Sequence, residues 1–184
     1  YYAGDGLQGN EFTHGAFYKD EAGKVYFGGI NGITYFQPSS IESVLKDTKV
    51  WITDFSIFNQ PVRKNTRSGR HTVIYTSVPD ANMFQLAHYD NTFSIVFSTL
   101  QYNNPEQISY QYKIEELSNQ WLSTEPGVNR VTYNNLLPGK YTFHVRALSH
   151  GNLSEIRTVK ILITPPWYEM WWAYCIYAFL FGLL

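Results

Sequence analysis

The side chains that could carry chemistry in this sequence are few and far apart. The histidines are His14, His71, His88, His144 and His150. None pairs with another at metal-ligand spacing, and the single cysteine, Cys175, lies in an apolar run. The sequence also lacks a G-x-S-x-G nucleophile motif, a phosphate-binding P-loop and an H-E-x-x-H zinc motif. It therefore predicts no catalytic residue, no metal site and no cofactor.

Two groups of charged residues are better interpreted as surface features than as functional sites. Glu115 and Glu116 are neighbours in a predicted strand, where adjacent side chains point to opposite faces and cannot flank one bond. A basic loop without acids could bind an acidic ligand, but it lacks interleaved aromatics and contains Asn, Ser and Gly, which favours a solvated hairpin loop. Its basic residues are Arg63, Lys64, Arg67 and Arg70.

Aromatic residues make up 17% of the chain, and some could stack on sugar rings. Trp121, Tyr133 and Tyr18 are candidates, although a strand-rich chain must bury most of its aromatics. The sequence alone leaves the ligand-binding residues unknown.

The composition narrows the class of protein. The chain has 184 residues, of which 44% are hydrophobic and 16% charged, and this suits a packed, strand-rich protein. A net charge of −1 gives no electrostatic reason to expect nucleic acid as a partner. A lone cysteine cannot form an intrachain disulfide, which fits a bacterial periplasm better than a disulfide-rich ectodomain.

Residues 1–38 contain short apolar runs separated by glycine turns. Strands are predicted within Phe12 to Tyr18, Lys24 to Phe27 and Ile33 to Phe36, with Asn31-Gly32 as the hairpin turn. Such short strands, with glycines at the corners, suit a propeller blade or a similar small sheet. Residues 39–49 are polar, and we interpret them as a connector.

Residues 50–165 show the period-two alternation of antiparallel strands, which predicts a two-sheet sandwich of the immunoglobulin or fibronectin kind. The positions expected to point inward are Trp51, Thr53, Phe55, Ile57, Phe93, Ile95, Phe97, Tyr110, Tyr112, Ile114, Tyr141, Phe143, Val145, Ala147, Val159, Ile161 and Ile163.

One turn in this region is more specific. Pro138 and Gly139 stand just before Tyr141, at the start of an alternating strand. In immunoglobulin-like sandwiches a tyrosine at this point bonds its hydroxyl to the preceding corner, and Tyr141 is expected to do so.

The C-terminal residues 166–184 predict entry into a membrane. Pro165, Pro166 and Trp167 end the last strand, and Met170 to Leu184 is wholly apolar. As a helix these fifteen residues would span about 22 Å, short of the roughly 30 Å of a bilayer core. We therefore expect a truncated transmembrane helix and a chain cut at both ends. A buried C-terminal strand or helix is the competing interpretation.

The order of these motifs resembles a known family. Segments 5–12 and 26–38 resemble the closing blade of a regulator-type propeller. Residues 91–95, Tyr110-Gln111-Tyr112, Trp121, Val131-Thr132-Tyr133 and 138–143 resemble the tyrosine-rich Y_Y_Y domain. Together they are similar to the end of the periplasmic sensor of bacterial hybrid two-component histidine kinases. Glu116 stands where that family usually has glycine, and residues 149–153 lack a tryptophan often found soon after them.

The resemblance implies a function beyond what the residues show. It implies a homodimer formed through the sandwich and anchored in the inner membrane, relaying oligosaccharide sensing to a cytoplasmic histidine kinase. The sugar would bind mainly outside this chain, and Tyr141, Pro138, Gly139, Pro165, Pro166 and Trp167 would be structural or relay residues. The alternatives are a membrane-anchored carbohydrate-binding or adhesion module without signalling output, and an accessory domain of a glycan-degrading enzyme.

Overall fold

The computed structural model describes residues 7–40, 49–100, 105–149 and 152–169, together with Ala173 and Cys175. Strands dominate these residues. Helical structure there is limited to short 3₁₀ turns at Pro38–Ser40, Pro105–Gln107 and Trp167–Glu169 and to helical conformation at positions 173 and 175. The prediction of an all-β chain is confirmed.

The first sheet is an antiparallel meander of β1 (Phe17–Lys19), β2 (Val25–Gly29) and β3 (Gly32–Phe36). The predicted hairpin is present, but its turn is one residue earlier than expected. Gly29 pairs with Gly32, so Ile30 and Asn31 form the two-residue loop. The ladder extends to Gly32 because this glycine adopts a φ of +133°, which other residues rarely reach.

This sheet has an aromatic layer on each face. Tyr26 lies between Tyr18 and Tyr35 on one face, with ring centroids 6.0 and 5.8 Å apart. On the other face Phe27 contacts both Phe12 and Phe36, at 5.8 and 6.0 Å.

The remaining strands form the two-sheet domain, which we define as residues 50–164. Their bounds are β4 (Trp51–Ile57), β5 (Gln60–Pro61), β6 (Arg67–Ser68), β7 (His71–Thr72), β8 (Met83–Ala87), β9 (Phe93–Ser98), β10 (Ser109–Ile114), β11 (Leu122–Ser123), β12 (Arg130–Tyr133), β13 (Gly139–Ser149), β14 (Asn152–Leu153) and β15 (Arg157–Thr164). The larger sheet has the order β11-β10-β13-β15-β8, with β14 beside β13, and the smaller has the order β12-β9-β4-β5. Strands β6 and β7 form a separate hairpin.

The two sheets share one hydrophobic core. Phe55 of the smaller sheet stacks on Phe84 of the larger, with ring centroids 4.1 Å apart, and Phe97 approaches Phe143 at 6.3 Å. The predicted alternation of β13 is confirmed, since its inward residues are all buried. They are Tyr141, Phe143, Val145 and Ala147.

The predicted inward direction of Trp51 and Thr53 is wrong. Ile52 is fully buried, whereas Trp51 is 38% exposed and Thr53 is exposed. The cause is a bulge between Ile52 and Asp54, which shifts the alternation by one residue before Phe55.

The sequence predicted antiparallel pairing throughout this domain, but the larger sheet contains one parallel pair of strands. β8 pairs in parallel with β15, from Met83 opposite Lys160 to Ala87 opposite Thr164. β15 therefore lies between β13 on one edge and β8 on the other.

Most of the predicted membrane segment, residues 166–184, lies outside the described residues. Among those that are described, no helix has the length and apolarity needed to cross a bilayer. Most of the predicted connector also lies outside them, apart from the 3₁₀ turn at Pro38–Ser40 and the residue Lys49.

Candidate functional site

The candidate site is the point where β15 ends and the chain turns towards the apolar run. Ile163 pairs with Gly139 of β13, and Thr164 pairs with Ala87 of β8. The Thr164 hydroxyl also donates to the Leu86 carbonyl at 2.9 Å. The strand is therefore held on both edges up to the residues that immediately precede Pro165.

The tyrosine corner stands beside this exit. The Tyr141 hydroxyl donates to the Leu137 carbonyl at 2.8 Å, the hydrogen bond expected of such a corner. The Tyr141 ring lies over Gly139, where an added Cβ would be in ordinary van der Waals contact with it at 3.5 Å. Burial, followed by the charge of Glu116, raises the pKa of Tyr141, which keeps the hydroxyl a donor. A role for this corner in signal relay stays a prediction.

Glu116 holds the next residue of β13. Its carboxylate accepts from the Thr142 N–H at 2.6 Å and from the Thr142 hydroxyl at 2.8 Å. Burial opposes ionisation of Glu116, but these two bonds, its own backbone N–H and nearby His144 outweigh it and lower the pKa of the carboxyl.

The prediction that Glu115 and Glu116 point to opposite faces of a strand is wrong. β10 ends at Ile114, and both carboxylates reach the outer face of β13. Glu115 lies 3.4 Å from His144, two residues beyond Thr142. The two glutamates therefore contact side chains of the same strand, β13, although both remain exposed.

The β6–β7 hairpin covers the free edge of β8. Ser68, which is 1% exposed, accepts from the Ala87 N–H at 2.7 Å and donates to the Asp90 carboxylate at 2.5 Å. Gln85 contacts His71 at 3.0 Å through their side chains. Of the predicted basic loop, Arg67 and Arg70 lie in this docked hairpin and Arg63 and Lys64 precede it, and all four side chains are exposed.

These elements enclose a groove of about 690 Å³, which we call the exit groove. It is lined by three segments that are distant in sequence, residues 69–71, 87–89 and 164–167. Pro166 is buried, whereas Pro165 and Trp167 are exposed. The structure thus brings Pro165, Pro166 and Trp167 into one wall, while Tyr141, Pro138 and Gly139 lie at the start of the adjacent strand.

The opposite end of the domain is where the chain enters. Trp51, at the start of β4, lines a groove of about 230 Å³ together with Glu155 and Arg157, at the start of β15. β15 then runs for eight residues, roughly 26 Å, to the exit. Entry and exit are therefore at opposite ends of the two-sheet domain.

The three candidates for sugar stacking have different surroundings. The Trp121 ring is covered by Arg146, whose guanidinium carbon lies 4.2 Å from the ring centroid, and Lys113 approaches it at 5.3 Å. Tyr133 packs against Phe93 and Phe143, and its burial raises the pKa of its hydroxyl. Tyr18 is 63% exposed in the first sheet. The structure does not bring the three together.

The histidines are also separate. His144 contacts Thr158 at 2.9 Å on the outer face of β13, His88 packs edge-on against Tyr89, and His14 is exposed. His150 lies outside the described residues. Among the residues that are described, no three His, Cys, Asp or Glu side chains are grouped so as to hold a metal ion.

Comparison with known proteins shows a family match over part of the chain. Residues 101–164, which include strands β10 to β15, match the family model of the Y_Y_Y domain. The match therefore includes every strand of the larger sheet except β8. Strands β4 to β9, which complete the core, precede the matched residues of that domain.

The relatives that this chain matches are much longer, and the chain spans only 13% to 22% of their length. "Histidine kinase P4" of Formosa agariphila is 28% identical over 180 residues, which are 97% of this chain and 13% of that protein. The extracellular domain of the putative hybrid two component system BT3049 from B. thetaiotaomicron is 30% identical with a TM-score of 0.66, over 90% of this chain and 22% of that structure. The extracellular domain of the putative one component system BT4673 from B. thetaiotaomicron is 27% identical with a TM-score of 0.59, over 79% of this chain and 19% of that structure.

These similarities confirm the resemblance to the sensor part of bacterial hybrid two-component systems. The solved structures that this chain matches are extracellular domains, which supports an extracytoplasmic location. The chain resembles those sensor domains and not a catalytic module, so it is not itself an enzyme.

Proposed function

We propose that this chain is the membrane-proximal part of a two-component sensor and passes a signal from an extracytoplasmic ligand to a membrane helix. The parent protein would be a histidine kinase, as one relative is named. The ligand class we propose is an oligosaccharide, bound mainly outside this chain.

The observation that carries the proposal is the way β15 ends. Paired strands hold β15 on both edges to Ile163 and on the β8 edge to Thr164, and two prolines follow at once. Proline fixes φ, so a Pro-Pro pair stiffens the junction. A displacement of the domain would pass to the following residues and would not be lost in a flexible linker.

The proposed domain organisation follows the chain. Residues 1–38 would be the last strands of a β-propeller, residues 39–49 a connector, residues 50–165 an immunoglobulin-like sandwich, and residues 166–184 the entry to the inner membrane from the periplasm. The aromatic layers on both faces of the first sheet support the propeller, because a blade in a propeller lies between neighbours. A homodimer formed through the sandwich would place two exits side by side.

The test is to uncouple the exit in the full-length sensor. Insertion of Gly-Ser-Gly-Ser between Thr164 and Pro165 should abolish ligand-dependent autophosphorylation, because a flexible linker absorbs the displacement. Autophosphorylation that responds to ligand as in the natural protein would contradict the relay.

The matched control places the same four residues between Asn119 and Gln120, in an exposed turn outside the path from β15 to the membrane. This control should signal normally. Ligand affinity should be equal in both variants, since the proposed sugar site lies elsewhere.

A further inference from the structure

The exit groove is lined by a basic residue and two histidines. Arg70 is exposed at the hairpin tip, and His71 and His88 line the same groove. The described residues that line it include no acidic side chain. Asp90 follows Tyr89 in sequence, but its carboxylate accepts a hydrogen bond from Ser68 and does not line the groove. The groove therefore favours an anion.

The tip is built to hold Arg70 in place. Gly69 has a φ of +58°, which suits the first position of a tight two-residue hairpin loop. A Cβ at Gly69 would come within 2.7 Å of the Tyr89 hydroxyl and 3.2 Å of Ala87. Glycine thus lets the tip lie against the residues after β8, and Arg70 follows directly.

The position of the groove indicates the source of the anion. Trp167 is only three residues before the apolar run, a reach of about 10 Å for an extended chain. The headgroup layer of a bilayer is roughly 5–8 Å thick on each side. Tyr89 and Trp167, which are 53% and 64% exposed, have the amphipathic rings that favour this layer.

We propose that the exit groove binds the phosphate headgroup of an anionic phospholipid, with Arg70 as its main contact. This inference rests on the proposed membrane entry of the following residues. Arginine suits the role because its planar guanidinium can donate two parallel bonds to one phosphate. The groove has the volume of a small-molecule site, about 690 Å³.

The experiment is native mass spectrometry of the whole 184-residue chain in detergent micelles, titrated with dioleoylphosphatidylglycerol or dioleoylphosphatidylcholine. One basic contact near a membrane surface contributes about 1 kcal/mol, which corresponds to about a fivefold change in affinity. We expect the first phosphatidylglycerol to bind about fivefold more tightly than phosphatidylcholine. Equal affinity for the two lipids would overturn the proposal.

Matched variants separate the groove from general charge. Arg70→Gln should remove most of the preference, and Arg70→Lys should restore part of it. Arg63→Gln makes the same charge change in the same basic segment at an exposed residue that does not line the groove. It should leave the preference within about twofold. Equal losses in Arg70→Gln and Arg63→Gln would mean diffuse electrostatic attraction and would refute a defined site.

Competition with inorganic phosphate distinguishes a lipid from a soluble anion. Full displacement of phosphatidylglycerol by millimolar phosphate would assign the groove to a free anion and overturn the lipid assignment. If the chain failed to enter micelles, the proposed membrane entry would itself fail. The two proposals can fail separately. If the chain shows no lipid preference while the Gly-Ser-Gly-Ser insertion still abolishes signalling in the sensor, the headgroup site is refuted and the relay is not.

Discussion

The Tyr141 hydroxyl closes the corner that precedes β13, through its bond to the Leu137 carbonyl. Tyr141→Phe keeps the buried ring and removes only this bond. We expect a loss of about 0.5–1.5 kcal/mol in the free energy of unfolding, measured by urea denaturation. Tyr75→Phe is the control, because the Tyr75 ring is 71% exposed and its change should be close to zero. Equal effects would show that the corner bond does not stabilise the fold.

Glu116 should make stability depend on pH. Its folded pKa is lowered from 4.5, so its contribution is present above that value and is lost as the pH falls through the folded pKa. Because the residue is exposed, we expect Glu116→Gln to cost only about 0.5 kcal/mol at pH 7.

The measurement for Glu116 is the difference in urea stability between the natural chain and Glu116→Gln from pH 7 to pH 3. The difference should shrink below pH 4.5, because the Glu116 carboxyl binds protons at a higher pH in the unfolded chain than in the folded chain. Glu125→Gln, at an exposed position, should show no such trend. A constant difference across the range would contradict the role of the Thr142 bonds.

At the scale of elements, the β6–β7 hairpin stabilises β8 through Ser68. Ser68→Ala would leave the Ala87 N–H buried without its acceptor. The expected cost is about 1–3 kcal/mol, seen as a lower urea midpoint at an unchanged slope. Ser123→Ala, in exposed β11, should have little effect. Comparable midpoints for the two variants would mean that the hairpin is not needed at this edge.

The sequence predicted those elements whose signals are local. The alternation of β13 and the Pro-Gly turn before Tyr141 depend on neighbouring residues, and both could be recognised. The bulge at Ile52 could not, because Trp51 and Thr53 continue an apparently regular pattern. The parallel pairing of β8 depends on β15, more than seventy residues away.

The exit groove illustrates the same limit for a site. Its three lining segments meet only through the pairing of β8 with β15 and the docking of the β6–β7 hairpin. The sequence predicted a structural or relay role for Pro165, Pro166 and Trp167, and it singled out Arg70 only as one of several loop charges. The sequence also showed that Glu116 replaces a glycine usual in the similar family. Its bonds to Thr142 could not be predicted, because they form only through the turn that follows β10.

At the scale of the whole molecule, β13 and β15 should be the most protected strands. Each is paired on both edges, and the inward residues in the middle of each strand, from Tyr141 to Ala147 and from Val159 to Ile163, are at most 8% exposed. Hydrogen exchange measured by mass spectrometry should be slowest in peptides from Gly139–Ser149 and Arg157–Thr164. The two-residue edge strands β11 and β14 are the internal controls and should exchange quickly. Faster exchange in β15 than in these edges would contradict a rigid exit.

The direction of β15 has a mechanical consequence. Ladder hydrogen bonds in a sheet run across the strands. A pull on Pro165 along β15 would therefore load the bonds to β13 and β8 in shear, so that many must yield together. A sideways pull would instead break them one after another, starting at Thr164. The domain should resist axial tension far better than peeling, a difference that single-molecule force measurements in the two directions would reveal.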